Sequence, residues 1–305
     1  MRKAEKIVLF VLIVLLLFYF LHRGLLIPTN AGGIQFDSTT PSSIPCPPSL
    51  RVEAEYYQLK LDHFMNFTLI LNGTLRVNMT LKGPAGKHFC TPEGVFIYAY
   101  YPGDEYLGVD AAFFDYNLTL KWKRHLPGVP YKNTPDGLIL VNNPTFGSSG
   151  GSCAYIWNVS PGRIISWICP DITGGHISHV KIFRGRVYVT VGVPEAPPLR
   201  TKAFIYVKEN NKLRKSEIAS IRGEGVGIRL LIDANEEYMA VAYFLANERG
   251  EEKNGVCVLT AKSLRKIACK ELKEGERLLK IKLEENIVYV QTTKGVKAYR
   301  ILSLW

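Results

Sequence analysis

The chain has 305 residues, a formal net charge of +11 and a hydrophobic fraction of 47%. It is too polar for a multispanning membrane protein and too apolar for a disordered chain, and its length suits one large all-β domain or two smaller ones. The charge is dispersed, with +3 of it in residues 1–30, and no nucleic-acid-binding motif accompanies it, which argues against a nucleic-acid partner.

Arg2, Lys3 and Lys6 precede the unbroken apolar run Ile7–Leu21. Residues 1–6 are read as a cytoplasmic tail. Residues 7–27 are read as a single-pass transmembrane signal-anchor with the lipid bilayer as its partner, because about 20 apolar residues span a bilayer. The basic flank keeps the N-terminus in the cytoplasm and sends the rest outside the cell. The competing reading is a cleaved signal peptide, with Thr29 and Ala31 small enough for a peptidase. Residues 28–52, rich in Pro, Ser and Thr, predict a stalk, since Pro41, Pro45, Pro47 and Pro48 forbid regular structure. Residues 53–305 are the exported domain.

From Glu53 onward the pattern is short β-like runs between turns, with almost no helical periodicity. Phe67–Leu71 and Thr74–Leu81 flank Asn72-Gly73, a strong hairpin signal. Further runs cover 95–101, 111–116, 119–123 and 137–142. Cys153 to Cys169 reads as a hairpin turning at Ser160-Pro161-Gly162, and Cys257 to Cys269 as a near-copy centred on Ser263. Hairpin centres fall near 72, 118, 161, 211 and 263. Spacing of about 40–50 residues with four strands per unit predicts a five- or six-bladed β-propeller. The last unit stops after three strands, and Ala54–Leu61 is placed to complete it. Tandem β-sandwiches are the alternative fold.

Six cysteines in an exported chain predict disulfides. Cys153 and Cys169 are equidistant from Pro161, and Cys257 and Cys269 from Ser263, which pairs each set and leaves Cys46 with Cys90. No C-x-x-C spacing suggests zinc. Asn66, Asn72, Asn78, Asn117 and Asn158 all head N-x-[ST] sequons, and no sequon lies beyond residue 160. N-linked glycans would therefore cover one half of the domain. Scarce glutamine with abundant Lys, Glu, Ile, Val and Tyr leans towards a thermophile, and with the sequons and anchor suggests an archaeal surface protein.

Ala112-Phe-Phe-Asp115-Tyr-Asn-Leu-Thr119-Leu-Lys-Trp122 and Ile156-Trp-Asn-Val-Ser160-Pro-Gly162-Arg-Ile-Ile-Ser-Trp167 resemble the repeat ends of quinoprotein-like (PQQ-type) propellers. The first lacks the turn glycine and the second has Asn158 in place of the aspartate. The resemblance covers about two units and implies the propeller architecture. It implies no cofactor, because no PQQ-holding residues are identifiable.

Candidate chemistry is sparse. His176 and His179 could ligate a metal, but residues three apart on a strand face opposite sides. Asp104, Glu105, Asp110 and Asp115 form an acidic cluster of the kind glycoside hydrolysis uses, with turn aspartates as the plainer reading. Asp110, Asp115 and His176 are thus the catalytic candidates. Phe146–Ser152 is glycine-rich but lacks the lysine of a phosphate loop. Tyr98, Tyr100, Tyr101 and Tyr106 could stack on sugars or pack between blades. Lysine patches at 212–215 and 262–270 are solvated edges or attract an anionic polymer or lipid headgroups. The leading expectation is an anchored binding or scaffold protein that presents its face to another surface protein or polymer. The alternatives are an extracytoplasmic carbohydrate-active enzyme and an accessory subunit of a membrane complex.

Overall fold

Runs of β-branched and aromatic residues separated by turn residues become antiparallel strands throughout. The computed structural model describes residues 10–14, 24–32, 34–36, 45–102, 108–134, 137–143, 151–172, 174–196, 199–273 and 275–302. The chain divides into two compact units, an N-proximal one, Asp37–Ile177, and a C-proximal one, Ser178–Trp305 with the residues up to Phe36.

Strand β1 (Leu25–Thr29) belongs to the C-proximal unit. The N-proximal unit opens with a three-stranded sheet of β2 (Leu50–Leu59), β3 (Asp62–Leu71) and β4 (Leu75–Lys82). A four-stranded sheet follows: β5 (Ala85–Thr91), β6 (Gly94–Tyr100), β7 (Val109–Asp115) and β8 (Leu120–Leu126). The next holds β9 (Val129–Thr134), β10 (Gly137–Asn142), β11 (Cys153–Asn158) and β12 (Arg163–Ile168). The C-proximal unit continues with β13 (His176–Phe183), whose first two residues fall on the other side of the division, β14 (Arg186–Ala196), β15 (Arg200–Glu209) and β16 (Lys212–Arg222). Then come β17 (Gly225–Ala234), β18 (Tyr238–Asn247), β19 (Glu252–Thr260) and β20 (Lys266–Glu271). The last sheet is β21 (Leu278–Glu284), β22 (Ile287–Thr292) and β23 (Gly295–Leu302), completed by β1. Among the described residues there are six such sheets, each an antiparallel meander of the kind that forms a β-propeller blade, in chain order except where β1 completes the last. Two sandwiches would instead pair strands across larger, Greek-key sheets.

Middle strands such as β6 and β18 are buried on both faces, so VFIYA and MAVAYFL read as continuous apolar runs. Strand β3 alternates instead: Met65, Phe67 and Leu69 are buried, and Asn66 and Thr68 lie on the opposite face. Four sheets carry a β-bulge between their third and fourth strands, at Phe113/Phe114, Ile156/Trp157, Ala203/Phe204 and Val258/Leu259. A bulge adds local twist, which turns the outer strand away from its neighbour.

The N-terminal expectations need three corrections. Ala54–Leu61 does not complete the last blade; most of it lies in β2, paired with β3. That place is taken by β1, with Leu26 opposite Ile301 and Thr29 opposite Ala298. Residues 25–27, counted into the membrane span, are therefore strand, and Pro28 sits on an edge strand, where proline costs no ladder bond. Residues 28–29 and 50–52, assigned to the stalk, are strand too, so the proline-rich stretch joins two blades. Among the described residues no helix is long and apolar enough to cross a membrane; Phe10–Val14 is helical, and the rest of Ile7–Leu21 lies outside the described residues.

Candidate functional site

The three predicted disulfides are formed: Cys46–Cys90, Cys153–Cys169 and Cys257–Cys269. Cys257 stands directly opposite Cys269, and the pair Ala154–Ile168 carries the same symmetric register to Cys153 and Cys169. Cys90 is buried on β5 and ties that strand to the segment before β2.

Strand β5 and the edge strand β9 line a cleft of about 350 Å³ in the N-proximal unit. Lys87 and Phe89 come from β5, with His88 between them, and Tyr98 stands directly across from Lys87 on β6. Phe89 stacks on Phe96 with centroids 4.8 Å apart, which fixes that wall. From β9 come Tyr131, Lys132 and Asn133. Ile139 pairs with Lys132 and Leu140 with Pro130, so Tyr131 is the extra residue of a bulge. A bulge re-aims its side chain, and here it supplies an aromatic wall.

The electrostatics are those of a concave site. Tyr131 keeps 37% of its surface exposed, yet burial within the protein pushes its hydroxyl up to about 12. His88 is exposed by area, yet desolvation holds its imidazole below its ordinary value. A group that is both accessible and desolvated sits on the wall of a cleft. Tyr98 is pushed up by burial and then by Tyr100, and the Lys87 ammonium lies 5.6 Å from the Tyr100 ring centroid. The lining holds two lysines, a histidine, two tyrosines and an asparagine amide, with no carboxylate among them. It can bind an anion and stack a ring. Among the described residues no carboxylate pair of the kind glycoside hydrolysis uses lines it.

Asp110 and Asp115 are not a pair. Asp115 Oδ1 accepts the backbone N–H groups of Asn117 (3.0 Å) and Thr119 (2.9 Å), and Oδ2 meets Lys121 at 2.8 Å. It is a turn aspartate, and Lys121 first, then the Thr119 N–H, hold its carboxyl below the usual range. Asp110, on β7, contacts His125 Nδ1 at 2.9 Å and accepts the Lys82 N–H at 3.2 Å. Nearby, the Tyr56 hydroxyl and His63 Nδ1 are 2.8 Å apart, and Tyr101 meets His63 edge-on. Asp104, Glu105 and Tyr106 lie outside the described residues, as do Phe146 to Gly150.

His176 and His179 both lie on β13. His179 Nδ1 accepts the Ile232 N–H at 2.9 Å, so one ring nitrogen is committed to the next sheet. Burial holds His176 below its ordinary value. Among the described residues no group of three His, Cys, Asp or Glu could hold a metal. Of the two tryptophans in the PQQ-type resemblance, Trp122 is buried and Trp167 is 53% exposed.

All five sequons fall in the N-proximal unit. Asn72, Asn78 and Asn117 are exposed, and Asn66 and Asn158 are half-buried. Two sequons interlock across β3 and β4: Thr68 donates to Asn78 Oδ1 (3.0 Å) and Thr80 donates to Asn66 Oδ1 (3.4 Å). A glycan attaches to Nδ2, so both bonds tolerate the modification.

No family model matches the sequence, and no curated protein is similar to it. Solved structures are similar in fold. The β-propeller domain of the Trilobed protease from Pyrococcus furiosus is 12% identical, with 91% of this chain and 82% of that one covered, at a TM-score of 0.38. A hypothetical selenium-binding protein from Sulfolobus tokodaii is 10% identical over 76% and 67% of the two chains, at 0.40. Aleuria aurantia lectin is 10% identical over 83% and 94%, at 0.33.

Proposed function

We propose that the protein is a membrane-anchored, extracytoplasmic binding protein whose N-proximal cleft takes an anionic, ring-bearing polymer, such as a carboxylated or sulfated saccharide. The observation that carries this reading is the cleft lining: Lys87, Lys132 and His88 supply positive or protonatable groups, Tyr98 and Tyr131 supply ring faces, and among the described residues no carboxylate lines the cleft with them. A retained anchor is supported by β1, because cleavage after Ala31 would sever the strand that completes the last blade.

Calorimetric titration of the full chain with polygalacturonate, a sulfated glycan and neutral dextran tests the ligand class. The charged polymers are expected to bind, more weakly at higher salt. Lys87→Glu with Lys132→Glu should weaken binding at least tenfold, since each reversal turns an attraction into a repulsion. Equal binding of dextran, or no effect of the two reversals, would overturn the reading.

An enzyme reading keeps one specific support. Asp110 Oδ1 lies 2.9 Å from His125 Nδ1, a carboxylate–imidazole contact of the kind that general-base catalysis uses. Turnover of any glycan that is lost in His125→Ala would favour it over pure binding.

A further inference from the structure

The two lysine-rich stretches of the sequence come together at one place in the C-proximal unit. The β15–β16 turn, at Asn210-Asn211, and the β19–β20 turn, at Ala261–Leu264, lie side by side: the Arg214 guanidinium donates to the Lys262 carbonyl. Tyr188 holds the second turn from beneath, its hydroxyl donating to the Ala261 carbonyl at 3.2 Å. The two hairpins present Lys212, Arg214, Lys215, Lys262, Arg265 and Lys266, all exposed. Leu213 stands among them with 44% of its surface open. Carboxylates border the patch: Glu209 is engaged by Arg186 at 2.7 Å and Glu217 by Lys202 at 3.4 Å, and the Glu237 carbonyl accepts the Ala261 N–H at 2.8 Å.

The same place is where the N-terminal chain arrives. Gly24 packs against the start of β20 so closely that a Cβ there would stand 2.2 Å from Ile267 Cγ2 and 3.3 Å from the Leu302 carbonyl oxygen. Strand β1 then runs beside β20 towards Lys270 and Lys273. Only His22 and Arg23 separate Gly24 from the end of the apolar run at Leu21. Three residue steps span at most roughly 10 Å, which is about one Debye length at physiological salt.

We propose that these two outer hairpins form a lipid-facing surface that rests on anionic phospholipid headgroups. The proposal builds on the anchor reading: if Ile7–Leu21 spans the bilayer, its exit holds the basic turns within reach of the headgroups. Lysine and arginine at that distance each strengthen attachment about fivefold, and a leucine set among cations suits the headgroup boundary. A free anionic polymer would not require the basic turns to coincide with the arrival of the apolar segment.

The test uses the full chain in phosphatidylcholine vesicles with and without phosphatidylglycerol. Hydrogen exchange is read over residues 208–216 and 260–267, and alkaline carbonate extraction is run in parallel. Phosphatidylglycerol is expected to slow exchange at both turns several-fold, added salt to reverse the effect, and Lys212→Glu with Lys262→Glu to abolish it. Equal exchange in both vesicle types, with the chain resisting extraction, overturns the lipid-facing surface and leaves the anchor standing. Release by carbonate combined with salt-sensitive protection by phosphatidylglycerol keeps the surface and removes the anchor. Release without protection removes both.

Discussion

The hairpins β11–β12 and β19–β20 are built alike and meet the solvent with opposite chemistry. Each carries a disulfide, and each has a bulge between the bridge and the turn. Each turn is clasped by one aromatic donor and one arginine from the preceding sheet. Trp122 Nε1 donates to the Val159 carbonyl (2.7 Å) and Arg124 to the Gly162 carbonyl (2.5 Å). Tyr188 and Arg214 do the same for the Ala261 and Lys262 carbonyls. The outer strands then diverge: β12 exposes Ile164, Ile165 and Trp167, whereas β20 exposes Lys266 and Lys270. Bridge and clasp are what a blade needs to hold its fourth strand. The outward face of that strand is left free to suit its surroundings.

Breaking the clasp should give the largest effect. Trp122→Ala is expected to cost about 3–5 kcal/mol in urea unfolding, and Tyr188→Ala a similar amount, because both rings are buried. Tyr188→Phe removes only the donor and should cost about 1 kcal/mol, whereas Trp122→Phe also removes part of a buried ring and should cost more than that. If the alanine and phenylalanine variants lost the same stability, the clasp would be a hydrogen bond without packing.

Removing the bridges comes next. The closed loops span 16 and 12 residues, and double Cys→Ala variants should each lose about 3 kcal/mol. Cys257 is fully buried and Cys153 only half-buried, so the second hairpin should lose more. Equal losses would show that burial at the bridge carries no weight.

The turns sharpen the contrast. Gly162 has φ 62°, and a Cβ there would stand 2.8 Å from the Trp122 ring, so Gly162→Ala should cost about 2 kcal/mol. Leu264 holds the positive-φ position of the other turn at 56° and is itself buried. Leu264→Gly relieves about 1–2 kcal/mol of backbone strain but empties a buried leucine site, which costs about 2–5 kcal/mol. A modest fall in melting temperature should therefore remain.

Acidification gives the smallest effect. His88 and His176 both have folded pKa values held by burial below the ordinary 6.5, so the unfolded chain takes up protons first. Their contribution is complete above about pH 6.5 and declines as the pH falls towards the folded values. Both belong to the N-proximal unit, so protection factors there, taken against the intrinsic exchange rate at each pH, should fall first between pH 7 and pH 5. A double His→Gln variant should remove that difference.

Turn chemistry and apolar runs made most of the architecture legible. Asn72-Gly73 forms a turn with both φ values positive, and the cysteine spacing about Pro161 and Ser263 set two pairings correctly. No apolar run or turn signal in the sequence marks β1, β5 or β9 as strands. β5 and β9 are short and interrupted by lysine, histidine or proline, because one side of each faces a cleft and needs no apolar residue. They are also the strands that line the candidate site, which is why only Tyr98 of its residues stood out. Tyr131 owes its position to a bulge, and a bulge leaves no periodic mark. β1 merged into the apolar run before it, and nothing local reveals a partner so far along the chain.

That partner has a consequence for biogenesis. Leu26 leaves the ribosome 275 residues before Ile301, which stands opposite it. The last blade therefore cannot close until β23 has emerged, and until then β1 presents an unpaired edge. Closing so long a loop costs little more entropy than closing a shorter one, but pairings this distant in sequence form slowly. During that interval the nascent chain is open to pairing with a neighbouring copy, and a chain truncated before Gly295 would stay so.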